Sequence, residues 1–194
     1  MISTRKKKKK VRRKAKAQPV YLTELELLEL LKTAQDHSYG FWMFLLVTYW
    51  HGLRVSEALA LRRGDVVDGY ITVQRLKGSL KTRQKIVQHE DALLNETALI
   101  GYLSRWKPKD KIFPWSRRQA DRLIKKYGEW AGLPRHKCHM HVLKHSQGKH
   151  WIPKIGLEGV QARLGHVNIQ NTQIYARLSD AEADEALQRA LEKP

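Results

Sequence analysis

The chain has 194 residues, 42% of them apolar, which is enough for one domain with a sizeable core and excludes full disorder. A formal net charge of +18 points to a polyanionic partner, most simply nucleic acid. One cysteine, Cys138, excludes a disulfide framework within the chain and fits a reducing, intracellular setting. The longest apolar run, residues 41–50, is too short to span a bilayer.

Residues 1–17 carry ten positive charges and no acid, leaving +8 on the rest. Residues 1–18 are therefore expected to be a disordered basic tail, with no apolar segment behind the charges to make a secretory signal. Residues 19–194 are expected to form a single domain. Thr23 and Glu26 have the spacing of a capping box, followed by leucines at helical intervals. A second, core helix is predicted over 38–50, and a third over 55–61 after the break at His51-Gly52. Gly64-Asp65 marks a turn. Residues 66–73 and 85–88 read as strands of a small antiparallel sheet, with Lys77 to Lys81 near its tip. Helices are predicted over 91–106, 116–131, 141–151 and 158–164, with a loop over 134–139 and another helix beginning near 172–175. Residues 179–191 form a clear amphipathic pattern. The fold class is mainly α with a small antiparallel β-sheet (α+β). The six tryptophans read as core or interface residues.

The chemistry is concentrated in four segments. These are His51-Gly52-Leu53-Arg54-Val55-Ser56-Glu57, then Leu80-Lys81-Thr82-Arg83, then His141-Val142-Leu143-Lys144-His145, and finally Leu164-Gly165-His166 with Tyr175 nine residues after the histidine. A phenol with an ordinary pKa of about 10 is a poor nucleophile near neutrality, so Tyr175 needs cations around it and its target. Arginine, lysine and histidine are the residue types that stabilise phosphoryl oxygens and protonate a leaving group. The usual alternative, two metal ions held by clustered carboxylates, has little support among 19 acids with no such cluster. The histidine-rich stretch 136–150 matches no zinc-module spacing, so no metal or other cofactor is expected.

In order and spacing these four segments resemble the tyrosine recombinase (phage integrase) family, over about residues 20–190. The size resembles the short members, which are little more than the catalytic domain. The resemblance implies a site-specific DNA recombinase that cleaves and rejoins DNA through a 3′-phosphotyrosyl intermediate. It implies Tyr175 as nucleophile, Arg54 as the first phosphate-binding arginine and Glu57 as its acidic neighbour. His141 matches the second-motif histidine and His166 the third. Lys81 matches the general acid of the hairpin, with Lys77 and Lys85 as rivals. The implied partners are double-stranded DNA and other copies of the chain, four on two DNA sites, with accessory DNA-binding proteins possible and no membrane. A cytoplasmic, nucleoid-associated location follows.

The match departs from the family at one place. Three residues after His141 the family has arginine and this chain has Lys144, which keeps the charge and loses the two-pronged fork. Loss of one preorganised donor from such a site costs on the order of 3 kcal/mol, about a hundredfold in rate. Two rival readings follow: a non-catalytic DNA-binding regulator on a recombinase scaffold, and a DNA-relaxing enzyme like the type IB topoisomerases.

Overall fold

The computed structural model describes residues 19–76, 78–176 and 188. The expected basic tail and, apart from Gln188, the amphipathic segment over 179–191 lie outside the described residues, as does Lys77.

The core is organised around α2 (Tyr39–Trp50), which contains no charged residue and is buried continuously from Phe41 to Trp50. A helix that is apolar on every side has no face for solvent and must be enclosed. On one side lies α1 (Glu24–His37), which buries Leu27, Leu30, Leu31 and Ala34. On the other lies α6 (His141–Leu164). The capping box at α1 forms as expected: Thr23 Oγ1 accepts from the Glu26 N–H, and the Glu26 carboxylate accepts from the Thr23 N–H. The short helix α3 (Val55–Ala58) follows the His51-Gly52 break and stops three residues before the predicted end.

Strands β1 (Val66–Val67), β2 (Tyr70–Val73) and β3 (Thr82–Lys85) form one antiparallel sheet in that order. Asp68 and Gly69 join the first two with positive φ, as a two-residue hairpin requires. β3 lies three residues earlier than predicted, pairing Val73 with Thr82 and Tyr70 with Lys85. Its inward residues are polar, Thr82 and Gln84, and an apolar pattern cannot reveal a strand whose buried face serves hydrogen bonding.

Helix α4 (Ala98–Leu103) is shorter than the predicted span 91–106. Asp91 accepts from the Leu93 N–H and Asn95 from the Thr97 N–H, so side chains compete for the backbone and make turns instead. Helix α5 (Arg117–Trp130) begins at a second capping box, Ser116 with Gln119. α6 runs through both of the predicted helices, 141–151 and 158–164. It contains Pro153, and Gly156 interrupts the helical backbone with φ 73° and ψ 171°, so the two predicted pieces are joined across a kink. α7 (Gln170–Gln173) is a single turn just before Tyr175. Trp42 and Trp50 lie in the core and donate their indole N–H groups to the carbonyls of Leu93 and Leu94, whereas Trp130 is half exposed. Among the described residues no helix is long and apolar enough to cross a membrane.

The C-terminus of α6 sets the direction of the site. Gly165 turns left-handed (φ 65°), and the His166 N–H returns to the Gln161 carbonyl at 3.1 Å. A Cβ on Gly165 would stand 2.7 Å from the Leu80 carbonyl oxygen. Gly165→Ala is expected to destabilise the protein by about 1–3 kcal/mol, read as a lowered midpoint in denaturant unfolding, because it combines left-handed strain with a backbone clash.

Candidate active site

The loop before α3 carries Arg54 at the helix N-cap. Glu57, in the first turn, reaches back to it: one oxygen accepts from the Arg54 N–H at 2.8 Å and the other from Arg54 Nη1 at 2.7 Å. The same carboxylate accepts from the Leu76 N–H at 3.0 Å and from Arg75 Nη1 at 3.2 Å. Burial alone would raise the Glu57 pKa, but the Arg54 and Leu76 N–H groups and the two guanidinium groups outweigh it and hold it below the usual range.

Arg75, just after β2, is the buried centre of this network and was not singled out by sequence. Its Nε donates to Thr82 Oγ1. Nη1 donates to the Gly52 carbonyl and Glu57, and Nη2 to the carbonyls of His51 and Arg163. Five N–H donors thus meet five acceptors. Gln84 adds a second tie, donating to the Arg163 carbonyl at 2.7 Å while its oxygen faces His51 Nδ1 at 3.1 Å. No local signal marks Arg75, because its partners are scattered over four segments.

Lys144 projects from the first turn of α6 and is 2% exposed. Among the described residues its Nζ has no hydrogen-bond partner. Burial, then the Arg54 and Arg75 cations, lower its pKa to about 7. His166 places Nδ1 2.9 Å from the buried hydroxyl of Thr172, which fixes the ring. Burial and the neighbouring cations push the His166 pKa down to about 4, so the imidazole is neutral near pH 7.

Tyr175 is buried. Its ring lies against Gly148 of α6, where an added Cβ would stand 2.6 Å from Cδ2 of the ring. Its hydroxyl meets Nδ1 of His145 at 3.1 Å. Burial pushes the phenol up to about 12 and the His145 imidazole down to about 4, so near neutral pH the phenol keeps its proton beside a neutral imidazole. His145 is thus a site residue the motif reading quoted but did not select. The His141 ring packs edge-on against it, centroids 4.4 Å apart.

The exposed residues line two clefts. One, of about 800 Å³, is bordered by Arg54 and His141 with Arg117, Arg118 and His139. The other, of about 320 Å³, is bordered by Lys81, Thr82, Gln161 and His166. Lys81 is exposed immediately before β3. The structure therefore gathers Arg54, Glu57, Lys144 and His166 around one interior point. It places His141 and Lys81 at two separate clefts, with Tyr175 packed against α6. Among the described residues no group of three or more histidine, cysteine or acidic side chains stands close enough to hold a metal ion.

Two measurements probe this arrangement. Arg75→Met removes one partner of a fully buried ion pair and is expected to lower unfolding stability by about 3–5 kcal/mol. The two histidines give a pH signature. Their pKa values are lower in the folded protein than the ordinary value near 6.5, so the unfolded chain takes up protons first. Stability is then full above about pH 6.5 and falls as pH drops toward 4. Melting temperatures across that range should decline less steeply for the His145→Asn/His166→Asn double variant than for the wild type.

Residues 20–182 match the model of the phage integrase family. The chain is 32% identical over 186 residues to tyrosine recombinase XerA of Pyrococcus furiosus, an alignment covering 90% of this chain and 63% of that protein. The chain thus spans a little under two thirds of the length of the curated relatives it matches. Among solved structures, it superposes on a XerA recombinase crystal structure with a TM-score of 0.72 at 25% identity, covering 94% of this chain and 67% of the other. A lambda integrase dimer bound to a COC′ core site shares the fold, with a TM-score of 0.69 at 20% identity over 84% of this chain and 49% of that one. With four motifs in family order, a helical domain carrying a small three-stranded sheet and a family match over most of its length, the chain belongs to the phage integrase family of tyrosine recombinases.

Proposed function

We propose that the chain is a site-specific DNA recombinase that cuts and rejoins DNA through Tyr175. The observation that carries this reading is the clustering of Arg54, Lys144 and His166, near enough to perturb one another's charge, beside a tyrosine whose hydroxyl contacts a neutral imidazole. An anionic tetrahedral group fits there, and a phosphodiester brings one into reach of an oxygen nucleophile. Tyr175 attacks the phosphorus and forms a 3′-phosphotyrosyl bond, while the 5′ oxygen leaves. His145 is placed to take the phenol proton. Arg54, with its guanidinium fixed by Glu57, binds the phosphoryl oxygens together with Lys144, and His166 donates to a nonbridging oxygen. His141 at the mouth of the larger cleft is the further donor, and Lys81 protonates the leaving oxygen. Rejoining reverses these steps and conserves the bond energy, so no nucleotide cofactor is needed.

Double-stranded DNA is the proposed substrate, and the net charge of +18 supports it. Other copies of the chain are the proposed partners, four on two sites, and accessory DNA-binding proteins belong to the same reading. A cytoplasmic, nucleoid-associated location would follow.

Covalent trapping on a nicked suicide DNA substrate tests the reading. The wild type should form a protein–DNA adduct, and Tyr175→Phe none. DNA binding without adduct by the wild type would shift the assignment to a DNA-binding regulator, for which Lys144 in place of arginine is the motivating feature. Supercoil relaxation without recombinant products would point to the topoisomerase-like reading. The general acid can be located separately. A 5′-bridging phosphorothiolate needs no proton to leave, so it should restore cleavage by Lys81→Ala. Restoration of Lys77→Ala or Lys85→Ala instead would reassign the role.

A further inference from the structure

The two cations at the phosphate-facing centre are held differently. Arg54 has Glu57 as its counter-ion. Lys144 has none. It is packed between the loop before α3, the hairpin and the end of α6, and the charged or titratable groups facing it from those elements are Arg54, Glu57, Arg75, His145 and His166. Both Glu57 oxygens are already taken, one by Arg54 Nη1 and the Leu76 N–H, the other by the Arg54 N–H and Arg75. The neighbouring Gln147, one turn along α6, is also buried, and among the described residues neither end of its amide has a partner. An ammonium in such a place, beside two guanidinium groups and without an acceptor, carries a desolvation cost of several kcal/mol. A neutral amine does not.

We infer that Lys144 is a proton-coupled phosphate clamp: above neutral pH its amine is mostly uncharged while the site is empty and takes up a proton from solvent as the DNA phosphate arrives, becoming the ammonium that binds a nonbridging oxygen. This rests on the recombinase reading of the same site and gives the lysine a property that an arginine in its place lacks, since a guanidinium does not give up its proton in a protein. The arriving anion supplies the missing counter-charge, so protonation and phosphate binding are one event. The linkage has a definite sign. The lysine pKa, about 7 in the empty site, rises on binding, so phosphate engagement weakens as pH rises above about 7. His145 and His166, at about 4, and Tyr175, at about 12, stay neutral between pH 6 and 9 and add no proton uptake of their own, while His141 is common to the wild type and the Lys144 variants.

The test is calorimetry of the full chain binding a nicked DNA duplex at pH 8, in buffers of different ionisation enthalpy. The wild type should take up roughly one proton per bound site, and Lys144→Arg close to none. Lys144→Met, a neutral chain of similar length, should also take up none, which guards against an arginine variant that packs poorly. In parallel, with DNA below saturation, the adduct-forming rate of Lys144→Arg divided by that of the wild type should climb about fivefold from pH 7 to 8 and about ninefold from 8 to 9. The ratio cancels pH effects common to both proteins. Equal proton uptake by wild type and both variants, or a flat ratio, would overturn the inference. Proton uptake confined to the wild type, with DNA bound and no adduct from any protein, would sustain the clamp and sink the catalytic reading. Failure of every protein to bind DNA would sink both.

Discussion

The ion pair between Arg75 and Glu57 is the constraint around which the site is built. Both side chains are wholly buried. Such a pair carries a large desolvation cost, and it persists only where every hydrogen-bonding position is used. Here each guanidinium N–H has an acceptor, drawn from the loop before α3, from β3 and from the last turn of α6. A lysine has three donors from a single point and could not reach so many directions. One planar cation thus ties together the loop before α3, β3 and the last turn of α6, reinforcing the packing of β3 against α6. Glu57, anchored on one side by Arg75, holds Arg54 on the other.

The charge pattern that results is asymmetric. Around the interior point stand two guanidinium groups and an amine, against a single carboxylate that is fully committed. The neighbouring imidazoles are kept neutral by burial and by those same cations. Among the described residues, the surroundings therefore disfavour additional positive charge and favour an incoming anion. Preorganisation of this kind avoids reorganising dipoles at the moment of reaction, because the donors are already oriented by bonds that do not involve the substrate.

Much of the fold could be read from the sequence where local pattern and burial agree. The capping box at Thr23 announces α1, the helical pattern over 116–131 announces α5, and the uninterrupted apolar run announces α2. The pattern fails where burial serves polar contacts. Thr82 and Gln84 face inward to bond Arg75 and the Arg163 carbonyl, so β3 carries no apolar alternation and was placed too late. Residues 91–97 have helical composition, but Asp91 and Asn95 capture nearby N–H groups. At the site, Arg54, Glu57, Lys144, His166 and Tyr175 were legible because their spacing follows a family order. Arg75 and His145 were not: one has partners as far away as residue 163, and the other acquires its role only when Tyr175 folds back onto α6.

That folding back rests on a missing side chain. Gly148 leaves a flat notch on α6, and the phenol ring of Tyr175 occupies it as a core residue would. Lifting an aromatic ring out of such a seat costs about 2–3 kcal/mol of apolar burial, so the unseated form would be around one molecule in a hundred. On the proposed reading of Tyr175 as the nucleophile, its oxygen is kept in storage, so that a duplex that dissociates quickly meets a stowed tyrosine, while one that stays long enough meets a reactive one.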